Sequence, residues 1–235
     1  MRPCRFHPPL LAPRPDTELI LLPHRAAVWP AARTLLVADL HWGKCETFRA
    51  QGAPLPQGIL QADLQRLGSL LRTTESTRLV VLGDLLHASP GITEWLIEIV
   101  ADWRAAHAHT EIAVIPGNHD RRIAAVAEAW ALTIAPALVH EGPFAFVHDP
   151  DHAAAEIRSH MQDPRPELPY FLCGHLHPMT TLRMPGDRLR LPAFWMRPRL
   201  GILPAFSALT DGLGIAPAPG DQVFAAAPDE VIALR

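Results

Sequence analysis

Apolar residues along the chain fall into two rhythms. Short continuous runs, TLLVAD at 34–39, RLVVLGD at 78–84, EIAVIPGNHD at 111–120, FAFVHD at 144–149 and YFLCGH at 170–175, read as strands buried on both faces. Between the first three lie segments with helical periodicity. Residues 56–72 are expected to form a helix, with Ile59, Leu60, Leu64, Leu67, Leu70 and Leu71 along one stripe and Pro56 at its start. Residues 92–106 repeat the pattern through Trp95, Leu96, Ile99 and Trp103, and 121–130 reads as a third helix. That order of strand and helix implies a parallel βαβ sheet.

After residue 131 helices give way to short strand runs with turn signals: FAFVHD, YFLCGH, MTTLRMPGDRLRLP, LGILPAF and QVFAAAPDEVIAL, the material for a second sheet packed on the first. ELILLPHRAAVW, within 17–29, suggests an edge hairpin. Residues 1–16 hold five prolines and read as a loosely held arm, leaving 17–235 as a single domain. Residues 151–160 suit one or two helical turns, and MQDPRPELP at 161–169 is a loop.

A chain of 235 residues can bury one sizeable core, and an apolar share of 49% with 19% charged residues is ordinary for a globular protein. No apolar stretch approaches the roughly 18–20 residues of a membrane span, and the proline-punctuated start lacks the apolar core of a signal peptide. Cys4, Cys45 and Cys173 show no metal-type spacing, so free thiols in a reducing cytoplasm are expected. The net charge of −3 is not that of a protein that coats nucleic acid. A local basic surface remains: 178–200 contains Arg183, Arg188, Arg190, Arg197 and Arg199 against Asp187 alone. It is either a nucleic-acid face or a solvated hairpin with charged edges.

Chemistry sits at the ends of the strand runs. Asp39-Leu40-His41, Gly83-Asp84-Leu85-Leu86-His87, Gly117-Asn118-His119-Asp120, His148-Asp149 and Gly174-His175-Leu176-His177 follow one another in order. Each delivers carboxylate, amide or imidazole to a strand's carboxyl end, where open α/β sheets bind ligands. Any one motif is weak; five in order are not, and the remaining histidines fit none of them. Two divalent ions roughly 3.5–4 Å apart would neutralise a phosphodiester and activate a bridging water. A mixed oxygen and nitrogen donor set suits Mn, Fe or Zn better than Ca or Mg, and Mn is the first expectation. Lys44 and Arg49, in the loop after the first motif, are candidates to hold phosphate oxygens, with an internal loop salt bridge as the alternative.

The five blocks resemble the calcineurin-like metallophosphoesterase superfamily. ADLHWGK with FRAQGAPLPQG, GHLHP and LPAFSALTDG resembles, more narrowly, its ligase-associated DNA-damage-response endonucleases. The superfamily resemblance implies a four-layer α/β/β/α sandwich of two packed mixed sheets flanked by helices. It also implies Asp84 as the carboxylate shared by two metals, Asp39, His41 and His177 completing one site, and Asn118, His148 and His175 the other. It makes His119 the proton donor near the leaving oxygen, with Asp39 or Asp120 orienting it. His87 is expected to orient a ligand or cap its turn. The narrower resemblance implies DNA as substrate and association with a DNA ligase and a helicase. A small-molecule phosphoesterase acting on cyclic nucleotides or dinucleoside polyphosphates is the alternative, and a metal-free scaffold ranks last because every liganding position holds a competent residue.

Overall fold

The computed structural model describes residues 1–9, 15–53, 55–56, 58–163, 165–184 and 186–234. Its first sheet has seven strands in chain order: β1 (Cys4–Phe6), β2 (Leu19–Leu22), β3 (Ala26–Trp29), β4 (Thr34–Val37), β5 (Arg78–Leu82), β6 (Glu111–Ile115) and β7 (Thr133–Ile134). The strands from β1 to β4 pair antiparallel, and those from β4 to β7 parallel. Helices α1 (Lys44–Ala50) and α2 (Ile59–Thr73) connect β4 to β5, α3 (Glu94–Ala106) connects β5 to β6, and the single turn α4 (Ala124–Ala127) precedes β7.

The second sheet follows. β8 (Leu138–Glu141) and β9 (Phe144–Val147) form a hairpin, and α5 (Ala154–Met161) leads to β10 (Tyr170–Cys173). β11 (Pro178–Met184), β12 (Asp187–Met196), β13 (Leu200–Ile202), β14 (Leu213–Gly214), β15 (Gln222–Ala226) and β16 (Val231–Ala233) complete it. The order is β14-β11-β12-β13-β10-β9-β8, with β15 joined to β12 and β16 to β15.

The pleat sorts neighbouring residues into different layers. Leu35, Val37, Leu79, Val81, Ile112 and Val114 face α2 and α3, where they meet Leu64, Leu67, Leu71, Leu96 and Val100. Leu36, Val80, Leu82, Ala113 and Ile115 face the other way, onto Phe144, Phe146, Tyr170 and Leu172 of the second sheet. The far side of that sheet packs Ala145, Val147, Phe171 and Cys173 on Ile157 of α5. Continuous apolar runs were needed because both faces of β5, β6, β9 and β10 are covered. The result is the expected four-layer sandwich.

Three expectations give way. The start of the expected arm is sheet: Cys4–Phe6 pairs with β2, Phe6 is buried against Tyr170 and Phe224, and Arg2 bridges to Glu230. Residues 10–14 of that arm lie outside the described residues. The segment after the first motif is a helix, α1, rather than a loop. The third helix, expected over 121–130, is a 3₁₀ turn at Asp120–Arg122 and one α turn. Among the described residues no helix is long and apolar enough to cross a membrane, and all three cysteines are free.

Candidate metal centre

The five motifs leave the carboxyl ends of β4, β5, β6, β9 and β10, and the fold gathers them at one edge shared by both sheets. Asp39, His41, Asp84 and His148 are buried, whereas Asn118 and His119 face solvent. Among the described residues three groups emerge: Asp39 with His41 and His177, Asp84 with His148 and His175, and a carboxylate-free group of His41 with His87 and His119. Asp84 lies between the first two, its Oδ2 3.4 Å from His148 Nε2 and 4.0 Å from His41 Nε2. Asn118 Oδ1 is 3.2 Å from His148 Nε2, placing the amide with the second group.

The backbone is bent to achieve this. Asp39, His41, Asp84, His175 and His177 all have left-handed φ, from 46° to 69°, a conformation that strains residues with a Cβ and clusters at functional sites. Neighbouring glycines let the turns close. A Cβ on Gly117 would lie 2.2 Å from Asp84 Oδ1, and one on Gly83 would lie 2.1 Å from His148 Nδ1.

Three of the imidazoles are aimed through their other nitrogen. His148 Nδ1 donates to the Leu82 carbonyl at 3.0 Å, and His177 Nδ1 to the Asp211 carbonyl at 3.2 Å. His175 Nε2 lies 3.8 Å from the Asp149 carboxylate, which turns Nδ1 inward. Such partners fix which ring nitrogen meets a metal. Asp149 and the 211 carbonyl were not assigned from sequence. Asp149 had a signal in its own motif; a backbone carbonyl has none.

Without a cation the arrangement is electrostatically awkward. His175 Nδ1 and His148 Nε2 approach to 3.2 Å, and lone pairs that close need a proton or a metal between them. Burial disfavours a charged His148, yet contact with Asp84 and the charges of Asp39 and Asp84 hold its pKa up at about 9. Burial likewise pushes Asp84 up, but the His148 contact and charge and the His119 N–H bring it down to about 2. His41, desolvated, is lowered to about 3. Among the described residues His41 Nδ1 and His177 Nε2 are buried without hydrogen-bond partners, the latter 3.4 Å from Asp39 Oδ1. Orphaned imidazole nitrogens beside buried carboxylates fit divalent-ion ligation.

His119 projects from the same turn as Asn118. Its N–H donates to Asp84 Oδ1 at 2.9 Å, and its Nδ1 donates to the His87 carbonyl at 2.6 Å, so Nε2 is left facing the site. His87 stacks on this ring with centroids 5.3 Å apart and planes 13° apart. Burial and the Lys44 charge take the His87 pKa down to about 4, which keeps it neutral beside His119.

Asp120 does not reach the His119 ring. Its buried carboxylate accepts N–H groups from Leu86 at 2.9 Å, Leu85 at 3.3 Å and Gly117 at 2.9 Å, tying the β5 loop to the β6 loop. Burial raises its pKa, and the Leu86 and Gly117 N–H groups oppose that rise. Lys44 stands at the start of α1, and its charge lowers both His41 and His87. Arg49 is held by Glu46 at 3.0 Å and the carbonyls of Leu55 and Pro56, the internal loop bridge named as the alternative. In the arginine-rich segment Arg199 is fully buried and bonds carbonyls at 163, 165 and 168, leaving Arg183, Arg188 and Arg190 exposed on the β11–β12 hairpin.

Comparison with known proteins agrees with this geometry. Residues 32–179 match the family described as calcineurin-like phosphoesterase. The structure resembles the Pseudomonas putida nuclease MPE with a TM-score of 0.78 and 31% identity, over 99% of this chain and 100% of that one. Two others are more distant. The Aquifex aeolicus protein AQ665 has a TM-score of 0.43 and 16% identity over 61% of this chain and 78% of that one. The Escherichia coli phosphoesterase Yfce has 0.44 and 16% over 85% and 96%. No curated protein sequence matches the chain. The chain belongs to the calcineurin-like phosphoesterase family, as a metal-dependent phosphoesterase by fold and by its Asp and His clusters.

Proposed function

We propose that the protein is a dinuclear phosphodiesterase that cleaves DNA. The observation that carries the reading is the pair of Asp–His clusters meeting at Asp84, open to solvent through His119. Asp39, His41, His177 and Asp84 would hold one ion; Asp84, Asn118, His148 and His175 the other. Two such ions supply charge neutralisation for the phosphate and an activated water at neutral pH. The chain supplies the rest. A water gives up one proton to solvent as its oxygen bonds to phosphorus, one ester bond breaks, and the departing oxygen takes a proton from His119 Nε2, which solvent then restores; the His87 carbonyl keeps the ring oriented through Nδ1. Lys44 adds positive charge for a phosphate oxygen.

Two features support DNA over a small metabolite. One is the likeness, over nearly the whole chain, to a nuclease. The other is the hairpin, where Arg183 and Arg188 sit directly across from each other. Like charges at facing positions are unfavourable unless an anion such as a phosphate backbone lies over them. The test is Mn²⁺-dependent cleavage of single-stranded, duplex and flapped DNA beside a chromogenic diester and monoester, with His119→Ala as control. DNA cleavage lost by roughly 10²–10⁴ in the variant supports the reading. Turnover of the diester with DNA left intact would instead assign a nucleotide-like metabolite.

A further inference from the structure

Helix α1 carries Lys44 and Phe48 on one face. Lys44 and Phe48 are four residues apart and lie one turn above the other. The helix buries Cys45 and Thr47, so it has a core-facing side, yet Phe48 is 36% exposed. A lone exposed aromatic needs no explanation; the alignment of this one does. Its ring is stacked on His87 with centroids 5.9 Å apart and planes 19° apart, and His87 is stacked in turn on His119. Three rings therefore form a column. One end is the imidazole assigned to the leaving oxygen, and the other is the partly exposed ring of Phe48.

We propose that the outer face of Phe48 is a stacking platform for a nucleobase, on the strand whose phosphate occupies the metal centre. This rests on the nucleic-acid reading above. The ring steps from His119 to His87 and from His87 to Phe48 are 5.3 and 5.9 Å, beyond the reach of the base on the scissile phosphate's own sugar, so the base on Phe48 belongs to a nucleotide further along the strand, where successive bases step by about 3.4 Å. A base laid on Phe48 extends the existing column at ordinary aromatic spacing. Lys44, on the same helix face, is placed for a phosphate between that base and the centre. Stacking is tolerant of sequence because every base has a π-face, so the platform would fix register without choosing a base.

The experiment compares wild type with Phe48→Ala, Phe48→Leu and Phe48→Tyr on three substrates. They are a DNA oligonucleotide, thymidine 5′-(4-nitrophenyl phosphate), whose single base is too near the reacting phosphate to reach Phe48, and methyl 4-nitrophenyl phosphate, which carries no base. The expected result is a loss in kcat/KM for Ala and Leu that is about 5- to 100-fold greater on the oligonucleotide than on either ester. It should appear mainly in KM, and Tyr should restore it. Equal losses on all three substrates would overturn the platform, since Phe48 would then merely prop the His87–His119 pair. Equal activity of all variants on the oligonucleotide would overturn it too. If wild type itself leaves the oligonucleotide uncut, it is the DNA reading that fails.

Discussion

Replacing Asp120 by Ala should destabilise the protein far more than it alters the proton-transfer chemistry. The carboxylate is 2% exposed and accepts three backbone N–H groups, from Leu85, Leu86 and Gly117. Alanine leaves all three buried donors without a partner. A stranded buried donor costs about 1–3 kcal/mol. Allowing for relaxation and water entry, the variant should lose roughly 3–5 kcal/mol, in line with breaking other buried polar networks. For a chain of this size that corresponds to a melting temperature lower by about 6–20 °C. Asp120→Asn keeps one acceptor oxygen and should fall between. The assay is thermal unfolding followed by circular dichroism, in excess chelator so that metal occupancy does not enter. If Asp120→Ala melts within about 2 °C of wild type while losing turnover, the carboxylate is not a loop tie. Its role would then return to orienting His119, as its motif suggested.

Two further outcomes follow from other buried groups. Burial raises Asp63 from its usual carboxylate range to about 6, against the opposing charges of Arg66 and Arg25. A raised folded-state pKa stabilises below the unfolded value and is lost as pH rises through about 6. Asp63→Asn lacks this dependence, so its stability relative to wild type should improve by about 1–2 kcal/mol between about pH 5 and pH 7.5 in urea titrations; a difference that does not change with pH refutes the sign. At His175, with φ of 69°, metal-free His175→Gly should be more stable than His175→Ala by about 1 kcal/mol, the reverse of the ordinary ranking. Calorimetry in chelator showing Ala ahead would mean that the left-handed turn carries no strain.

Much of the fold was legible because its strands are covered on both sides. β5 and β6 run between a helix layer and a second sheet, and their unbroken apolar runs announce it at the bounds found. Where tertiary contacts decide, the pattern was silent. Lys44–Ala50 has little helical periodicity. It becomes α1 where the chain is packed by a distant contact: Gly43, just before it, and Gly91 meet so closely that a Cβ on either would collide with the other's backbone. The alanine-rich 121–130 has the composition of a longer helix. It is cut short because Asp120 is pinned to two loops at its start and Trp130 is fully buried at its end. Phe6 looked like part of a proline-rich arm, since its partners Tyr170 and Phe224 lie far along the chain.

The site divides along a similar line. Residue types that ligate metals are few, so the motifs that hold Asp39, Asp84, His148 and their companions stood out by order and type, and the resemblance to the superfamily implied which of them would share an ion. What holds those groups in place is mostly main chain: the carbonyls of Leu82, His87 and Asp211, and the N–H groups gathered by Asp120. Every residue carries a carbonyl and all but proline an N–H, so composition cannot mark the ones in use. Arg49 and Lys44 make the same point from the other side. Both are cations a few residues past the first motif, equally fit on paper to bind phosphate. A helix separates them by turning Arg49 toward the carbonyls of Leu55 and Pro56 and leaving Lys44 beside His41 and His87. Once α1 is known to be a helix, the residue one turn beyond Lys44 is Phe48, and only then does an exposed phenylalanine acquire a position relative to the chemistry.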